Sequence, residues 1–192
     1  GDPDLITVKG RDLIVRAGAV LYAGSLVSEA ATRWAPAGCE IRDSKDMTLE
    51  EIAAWLIEKV ATHETVVRLQ TGDPTLYGAL IEMVQPLDAA GVVVGVVPGV
   101  SSATAAAAAA VASLTLPEVT QTVILTRVEG RTPMPPGESP HWPVRRSHIP
   151  RSCRGVLRRP GLLSAGVGLA ERARDMADGD LRRRNKITCT TT

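Results

Sequence analysis

The pattern that most constrains the fold is a short apolar run, a loop of small residues and a helix, repeated along the chain. Runs suited to strands lie at 19–22, 65–69 and 92–97, and the last resembles a strand buried on both faces. Turn-forming loops follow them at 23–25, 71–74 and 98–102. The pattern predicts an α/β domain with a mainly parallel sheet, whose three loops share one edge and form a ligand cleft.

The sequence also indicates where helices begin. Thr48 and Glu51 have the spacing of a capping box, in which each side chain bonds the other residue's backbone N–H. Pro86 predicts a kink or an early stop in the helix that contains it. We expect helices over 8–17, from 49, over about 75–90 and after 102, and a further strand over 121–127.

Two of the loops carry groups that suit a small polar ligand. Gly72 allows positive φ, and Asp73 beside it can accept backbone N–H bonds or meet a partly cationic ligand. Ser101 and Ser102 stand where a helix begins, so they either cap it or offer hydroxyl and N–H groups to a carboxylate or ribose. Neither loop has the spacing of a nucleotide phosphate loop.

A third group of polar residues follows the strand expected at 121–127. Arg127 and Arg131 flank Glu129. Guanidinium groups pair with carboxylates in bidentate fashion, so this segment suits a ligand with several carboxylates. A solvated loop with a surface ion pair remains the alternative.

Charge divides the chain into two parts. Residues 1–139 hold 10 Lys and Arg against 17 Asp and Glu, whereas residues 140–192 hold 12 against 4. The three cysteines lack CxxC spacing, so we expect reduced thiols in a cytosolic protein and no metal site. No apolar run reaches the length of about 18 residues that a membrane span requires.

Taken together, the loops resemble those of the tetrapyrrole (corrin and porphyrin) methylases. The resemblance covers residues 1–139 and rests on three segments in order: Gly1-Asp2-Pro3, Gly72-Asp73-Pro74 through Tyr77, and Pro98-Gly99. Within that family, the stretches at 22–27, 43–51 and 116–133 are most similar to the members that methylate C-11 of precorrin-4 or cobalt-precorrin-4.

The resemblance implies two α/β domains, a homodimer, and a cleft that holds S-adenosylmethionine and the tetrapyrrole. It implies methyl transfer to C-11 of precorrin-4, without naming a catalytic base, since Ala23 stands where some relatives have an acidic residue. The cofactor contacts it implies are Gly72, Asp73, Pro74, Leu76, Tyr77, Ser101 and Ser102. The substrate contacts it implies are Ser25, Arg127, Glu129 and Arg131.

The chain departs from the family pattern at both ends. We expect a methylase domain over 1–116, the start of a truncated second domain over 117–139, and an aberrant, disordered basic tail over 140–192. We expect the family's first strand and first loop to be incomplete before Gly1, and the arginine excess of the tail indicates a shifted reading frame. Such a chain is expected to have little activity. The alternatives are another methylase of this fold, acting on a different precorrin position or on ribosomal RNA, and nucleic-acid binding through the tail.

Overall fold

The computed structural model describes residues 2–119, 121–126, 135 and 186–191. The chain divides into two compact units, one formed by Gly1–Ser102 with Gly179–Thr192 and the other by Ala103–Asp178. The boundaries expected from the sequence, after residues 116 and 139, remain predictions.

A parallel sheet of five strands organises the first unit. The strands are β1 (Ala19–Tyr22), β2 (Glu40–Asp43), β3 (Thr65–Gln70), β4 (Val93–Val96) and β5 (Lys186–Thr191). Their order across the sheet is β2-β1-β3-β5-β4, and every neighbouring pair is parallel. This architecture confirms the predicted α/β class with a parallel sheet. Sequence analysis did not anticipate β2 or β5.

Helices connect the strands. They are α1 (Val8–Ile14), α2 (Leu49–Val60), α3 (Leu80–Ala89) and α4 (Ser102–Ala109), with short 3-10 helices at Pro3–Leu5 and Glu29–Thr32. Strand alternation directs successive side chains to opposite faces of the sheet, so each face needs its own cover. Val66 and Leu21 pack with α2 and α3 on one face, and Val67 and Val20 pack with α1 on the other.

The predicted capping box begins α2. The Glu51 backbone N–H donates to Thr48 Oγ1 (3.3 Å), and the Thr48 backbone N–H donates to Glu51 Oε2 (2.8 Å). We expect Thr48→Ala to lower the free energy of unfolding by about 1 kcal/mol, because a first-turn N–H loses its acceptor. Chemical denaturation of Thr48→Ala beside Thr48→Ser measures the effect. Equal losses in the two variants would contradict a role for the hydroxyl.

Two helices are shorter than their sequence predicted. α1 ends at Ile14 and not at residue 17, because Arg16 and Ala17 donate to carbonyls three residues back and tighten the last turn. α3 begins at Leu80 and not at residue 75. Tyr77 and Ala79 adopt left-handed backbone conformations (φ 57° and 48°), which a right-handed helix cannot include. The helix then continues through Pro86.

Two strand predictions were wrong in the described residues. Gly95 and Val96 of β4 are exposed, so this strand is not buried on both faces, as its outer position in the strand order explains. Residues 121–126 have no regular secondary structure, although their apolar residues favour a strand. A strand needs a neighbour that accepts its backbone hydrogen bonds, and no strand in the described part of the chain pairs with them.

A helix that spans a membrane must be long and predominantly apolar, and the helices of the described residues are short. None of those in residues 2–119 is long and apolar enough to cross a bilayer.

Candidate functional site

The candidate site lies at one edge of the sheet. Because β1, β3 and β4 run parallel, the loops that follow them leave the sheet on the same side. These are the loops at 23–25, 71–79 and 97–102. We call the second of these, residues 71–79, the Asp73 loop.

Asp73 joins the Asp73 loop to the loop after β4. Its Oδ2 accepts the Gly99 backbone N–H (3.0 Å), across 26 positions of the chain. Its Oδ1 accepts the Thr75 backbone N–H (2.9 Å) and the Thr75 hydroxyl. Both carboxylate oxygens therefore hold backbone in place, and the residue acts first as a brace between two loops.

These contacts set the ionisation of Asp73. Partial burial by itself would raise the pKa of the carboxyl group. The hydrogen bonds from the Thr75 hydroxyl, the Thr75 N–H and the Gly99 N–H stabilise the charged form and outweigh burial. The pKa of Asp73 therefore lies below its usual value, and the carboxylate is ionised at neutral pH.

Gly72 brings the two loops close together. Its φ of +68° lies in the left-handed region, which favours glycine. A Cβ built on it would stand 3.7 Å from the Ser102 backbone nitrogen and 3.8 Å from the Ser101 Cα. The backbone of Gly72 thus faces the two serines that the sequence singled out.

A second carboxylate braces the loop after β1. Asp43 Oδ1 accepts the backbone N–H groups of Gly24 and Lys45, each at 2.9 Å. A Cβ on Gly24 would lie 2.1 Å from Asp43 Oδ2, far inside any van der Waals contact. A side chain at residue 24 would therefore have to displace the Asp43 carboxylate.

We expect Gly24→Ala to lower the free energy of unfolding by about 2 kcal/mol, because the new methyl group must displace the Asp43 carboxylate. Thermal or urea denaturation measures the loss, and Ser25→Ala, at the exposed neighbouring position, is the matched control. In an Asp43→Ala background the same methyl group should cost less. A cost that does not change between the two backgrounds would contradict the clash.

Buried polar residues lie beneath this edge. Arg68 of β3 is 5% exposed, and its Nη1 donates to Ser44 Oγ (2.7 Å). Ser44 in turn donates from its hydroxyl and its backbone N–H to the Tyr22 carbonyl, at 3.2 and 2.9 Å. This chain of contacts ties the ends of β1, β2 and β3 together. Sequence analysis missed it, although a charged residue inside the apolar run 65–69 was the available signal.

The other predicted site residues differ in exposure. Tyr77 is 62% exposed, Ser25 and Ser102 are exposed, and Leu76 and Ser101 are partly buried. Pro74 is buried, so it shapes the loop from inside. The predicted substrate residues Arg127, Glu129 and Arg131 lie outside the described residues. Over 2–119, 121–126 and 135, no group of three or more His, Cys, Asp or Glu side chains could hold a metal ion.

A surface groove lies along the outer strand β2. Glu40, Ile41, Arg42, Trp55, Glu58 and Lys59 line it. Three of its charges form ion pairs, since Lys59 Nζ contacts Glu40 (2.7 Å) and Glu58 (3.0 Å). Beside the groove, His63 Nε2 lies 3.0 Å from Glu40. Glu40 begins β2, so this network lies at the amino edge of the sheet, opposite the three loops. It is not part of the candidate site.

Several known proteins are similar to this chain in sequence and in fold. Residues 1–151 match the family described as Tetrapyrrole (Corrin/Porphyrin) Methylases. The cobalt-precorrin-4 C(11)-methyltransferase of Methanocaldococcus jannaschii is 50% identical over 138 residues, which is 72% of this chain and 53% of that protein.

Two solved structures extend the likeness to three dimensions. A cobalt-precorrin-4 methyltransferase, described as a cobalamin biosynthetic enzyme, superimposes with a TM-score of 0.68 at 50% identity, over 73% of this chain and 59% of that one. A uroporphyrin-III C-methyltransferase from Thermus thermophilus, complexed with S-adenosylhomocysteine, has a TM-score of 0.52 at 37% identity, over 63% and 52%. The chain spans about half the length of the curated relatives it matches.

Proposed function

Because this chain belongs to the tetrapyrrole (corrin/porphyrin) methylase family, we propose that its function is methylation of C-11 of precorrin-4 or cobalt-precorrin-4. The observation that carries the proposal is the 50% identity with the cobalt-precorrin-4 C(11)-methyltransferase of Methanocaldococcus jannaschii. This likeness favours methyl transfer over nucleic-acid binding by the basic tail. A uroporphyrinogen-III C-methyltransferase of the same family is less similar, at 39% identity over 107 residues.

The proposed cofactor is S-adenosylmethionine, whose sulfonium supplies the methyl group when it is bound. The residues at the sheet edge fit such a ligand. At Gly72 the backbone of the Asp73 loop comes close to residues 98–102, and both segments have exposed residues with hydroxyl groups. The proposed contacts are Gly72, Asp73, Pro74, Leu76, Tyr77, Ser101 and Ser102. The structure of a relative complexed with S-adenosylhomocysteine supports this choice of cofactor.

The contribution of these residues to the reaction is orientation. Asp73 fixes the Asp73 loop against Gly99, so the surface that meets the cofactor is ordered before binding. Holding a methyl donor in line with a nucleophilic carbon removes much of the entropy cost of a bimolecular step. Bound S-adenosylmethionine would supply the methyl group for C-11, with S-adenosylhomocysteine as the second product. Ser25, Arg127, Glu129 and Arg131 are the proposed contacts for the carboxylates of the tetrapyrrole.

Two further properties belong to the proposal. A homodimer and a cytoplasmic location rest on the resemblance to the family. Sedimentation analysis of the purified chain tests the first, with a dimer mass as the expected result. A monomer at every concentration would remove the dimer from the proposal for this chain.

Calorimetric titration with S-adenosylhomocysteine tests the cofactor proposal directly. We expect binding in the micromolar range, about −8 kcal/mol. No heat of binding from a folded chain would refute the proposal for this chain. Incubation with S-adenosylmethionine and either precorrin-4 or cobalt-precorrin-4, followed by mass spectrometry for one added methyl group, tests the reaction and separates the two substrates.

A further inference from the structure

A buried amide lies directly beneath the Asp73 loop. Gln70 is the last residue of β3 and is 8% exposed. Its Nε2 donates to the Gly78 carbonyl (3.3 Å) and lies 4.0 Å from the sulfur of Met83, a core residue. The amide therefore connects the strand that precedes the loop with the turn that closes it.

The turn that Gln70 holds has an unfavourable backbone. Tyr77 and Ala79, on either side of Gly78, have φ values of 57° and 48°. A left-handed conformation costs a non-glycine residue about 1–3 kcal/mol and persists only where surrounding contacts enforce it. Ala79, the N-cap residue of the helix that follows, makes no side-chain cap bond, and its carbonyl accepts the Met83 backbone N–H (3.1 Å).

The contact with Gly78 also determines which way the amide points. A carbonyl only accepts hydrogen bonds, so the atom of Gln70 that bonds the Gly78 carbonyl must be the nitrogen and not the oxygen. Oε1 then has no hydrogen-bond donor among the residues that the structure describes. An unsatisfied buried acceptor costs about 1–3 kcal/mol. Gln70 thus keeps one buried polar atom without a described donor while its other polar atom bonds the loop.

Gly78 fits against this amide without a side chain. A Cβ at Gly78 would lie 2.8 Å from Gln70 Oε1 and 2.4 Å from the Pro74 carbonyl oxygen. The Asp73 loop is therefore closed on itself, with Pro74 near its start, Gly78 near its end and the Gln70 amide beneath. The neighbouring side chain, Tyr77, is directed outward and is 62% exposed.

We propose that Gln70 is a positioning residue for the cofactor surface: its amide holds the Gly78 carbonyl, and thereby fixes the left-handed turn that presents Tyr77. Asp73 braces the start of the loop against Gly99, and Gln70 braces its end against β3. The link to cofactor binding rests on the proposed function. The hold on the loop does not, because it is a property of the cofactor-free chain.

The first test is hydrogen exchange of the free chain with Gln70→Met, which keeps the length of the side chain and removes the donor. We expect exchange of residues 75–80 to accelerate about tenfold, the equivalent of one lost hydrogen bond of about 1.4 kcal/mol. Exchange in β1 should change far less. Gln70→Glu, whose carboxylate would face the Gly78 carbonyl, should act in the same direction, and it serves if Gln70→Met does not fold.

Met83→Leu is the matched control, because it removes the sulfur contact and leaves the bond to Gly78 intact. It should leave exchange at residues 75–80 near the wild-type rate. Unchanged exchange in both Gln70 variants, or an equal acceleration across the whole sheet, would overturn the positioning role.

Titration with S-adenosylhomocysteine is the second test. If the wild-type chain binds, Gln70→Met should weaken binding about tenfold while its melting temperature falls no more than that of Met83→Leu. Undiminished affinity would overturn the link to the cofactor surface. If the wild-type chain does not bind, the proposed function fails for this chain, and the exchange experiment still decides whether Gln70 holds the loop.

Discussion

Replacing Asp73 with alanine is expected to lower the free energy of unfolding by about 2 kcal/mol and the affinity for S-adenosylhomocysteine at least about tenfold. The stability loss follows from removing a charged acceptor that serves the Gly99 N–H, the Thr75 N–H and the Thr75 hydroxyl. The affinity loss follows because the Asp73 loop is then no longer joined to the loop after β4. Denaturation and calorimetric titration measure the two effects.

Asp88→Ala, which removes an exposed carboxylate of α3, is the matched control and should change both quantities little. Asp73→Asn is the more informative variant, since it keeps one oxygen and the shape of the side chain. It should lie between alanine and the wild type. If Asp73→Ala binds S-adenosylhomocysteine as tightly as the wild type, the brace has no part in cofactor binding.

The same carboxylate predicts a pH dependence. The pKa of Asp73 is lower in the folded chain than in the unfolded one, so its stabilising contribution is complete above the unfolded value of about 3.9. That contribution is lost as the pH falls through the folded pKa. The difference in unfolding free energy between wild type and Asp73→Asn should therefore be constant from pH 5 to 7 and shrink below about pH 4. A difference that stays constant down to pH 3 would contradict this ionisation.

Replacing Leu56 with alanine is expected to lower the free energy of unfolding by about 3 kcal/mol. Leu56 lies on α2, is 0% exposed and packs against Leu21 and Val66 of the sheet. The substitution removes buried methyl groups and leaves a cavity that the rigid sheet cannot fill. Urea denaturation, with the midpoint and slope both recorded, measures the loss.

Two other variants are the controls for Leu56→Ala. Leu26→Ala removes a leucine that is 64% exposed and should cost less than about 0.5 kcal/mol. Leu56→Met preserves volume and should cost less than about 1.5 kcal/mol. A loss below about 1 kcal/mol for Leu56→Ala would show that the contact between α2 and the sheet is looser than its burial indicates.

The parts of the fold that the sequence predicts are those with a local signal. The apolar runs at β1 and β3 need burial, and the Thr48–Glu51 spacing marks the start of α2 unambiguously. β2 gave no such signal, because an edge strand of charged and exposed residues resembles a loop. The start of α3 was missed for a different reason. Tyr77 and Ala79 are not residue types that favour a left-handed backbone, so the sequence gives no sign of it. Contacts from elsewhere in the chain impose this conformation.

The same division applies to the candidate site. Gly72 and Asp73 stand out in the sequence because glycine and aspartate are typical of ligand loops. The sequence does not reveal that Asp73 bonds Gly99, since that partner is 26 positions away and contributes only a backbone N–H. The role of Gln70 could not be predicted from the sequence for another reason. A glutamine at the end of an apolar strand looks like a surface residue until the turn above it covers the amide.

The strand order also affects how the sheet can form while the chain is being synthesised. β5 pairs with both β3 and β4, so that Lys186 lies beside Thr65 on one side and Val93 on the other. Most of the sheet is translated long before residues 186–191. Bringing β5 back to β3 and β4 closes a long segment of chain, and the entropy cost of that closure slows folding. Until then, the facing sides of β3 and β4 lack the strand that separates them. During synthesis, therefore, the edges of β3 and β4 that pair with β5 stay open to aggregation until β5 is made.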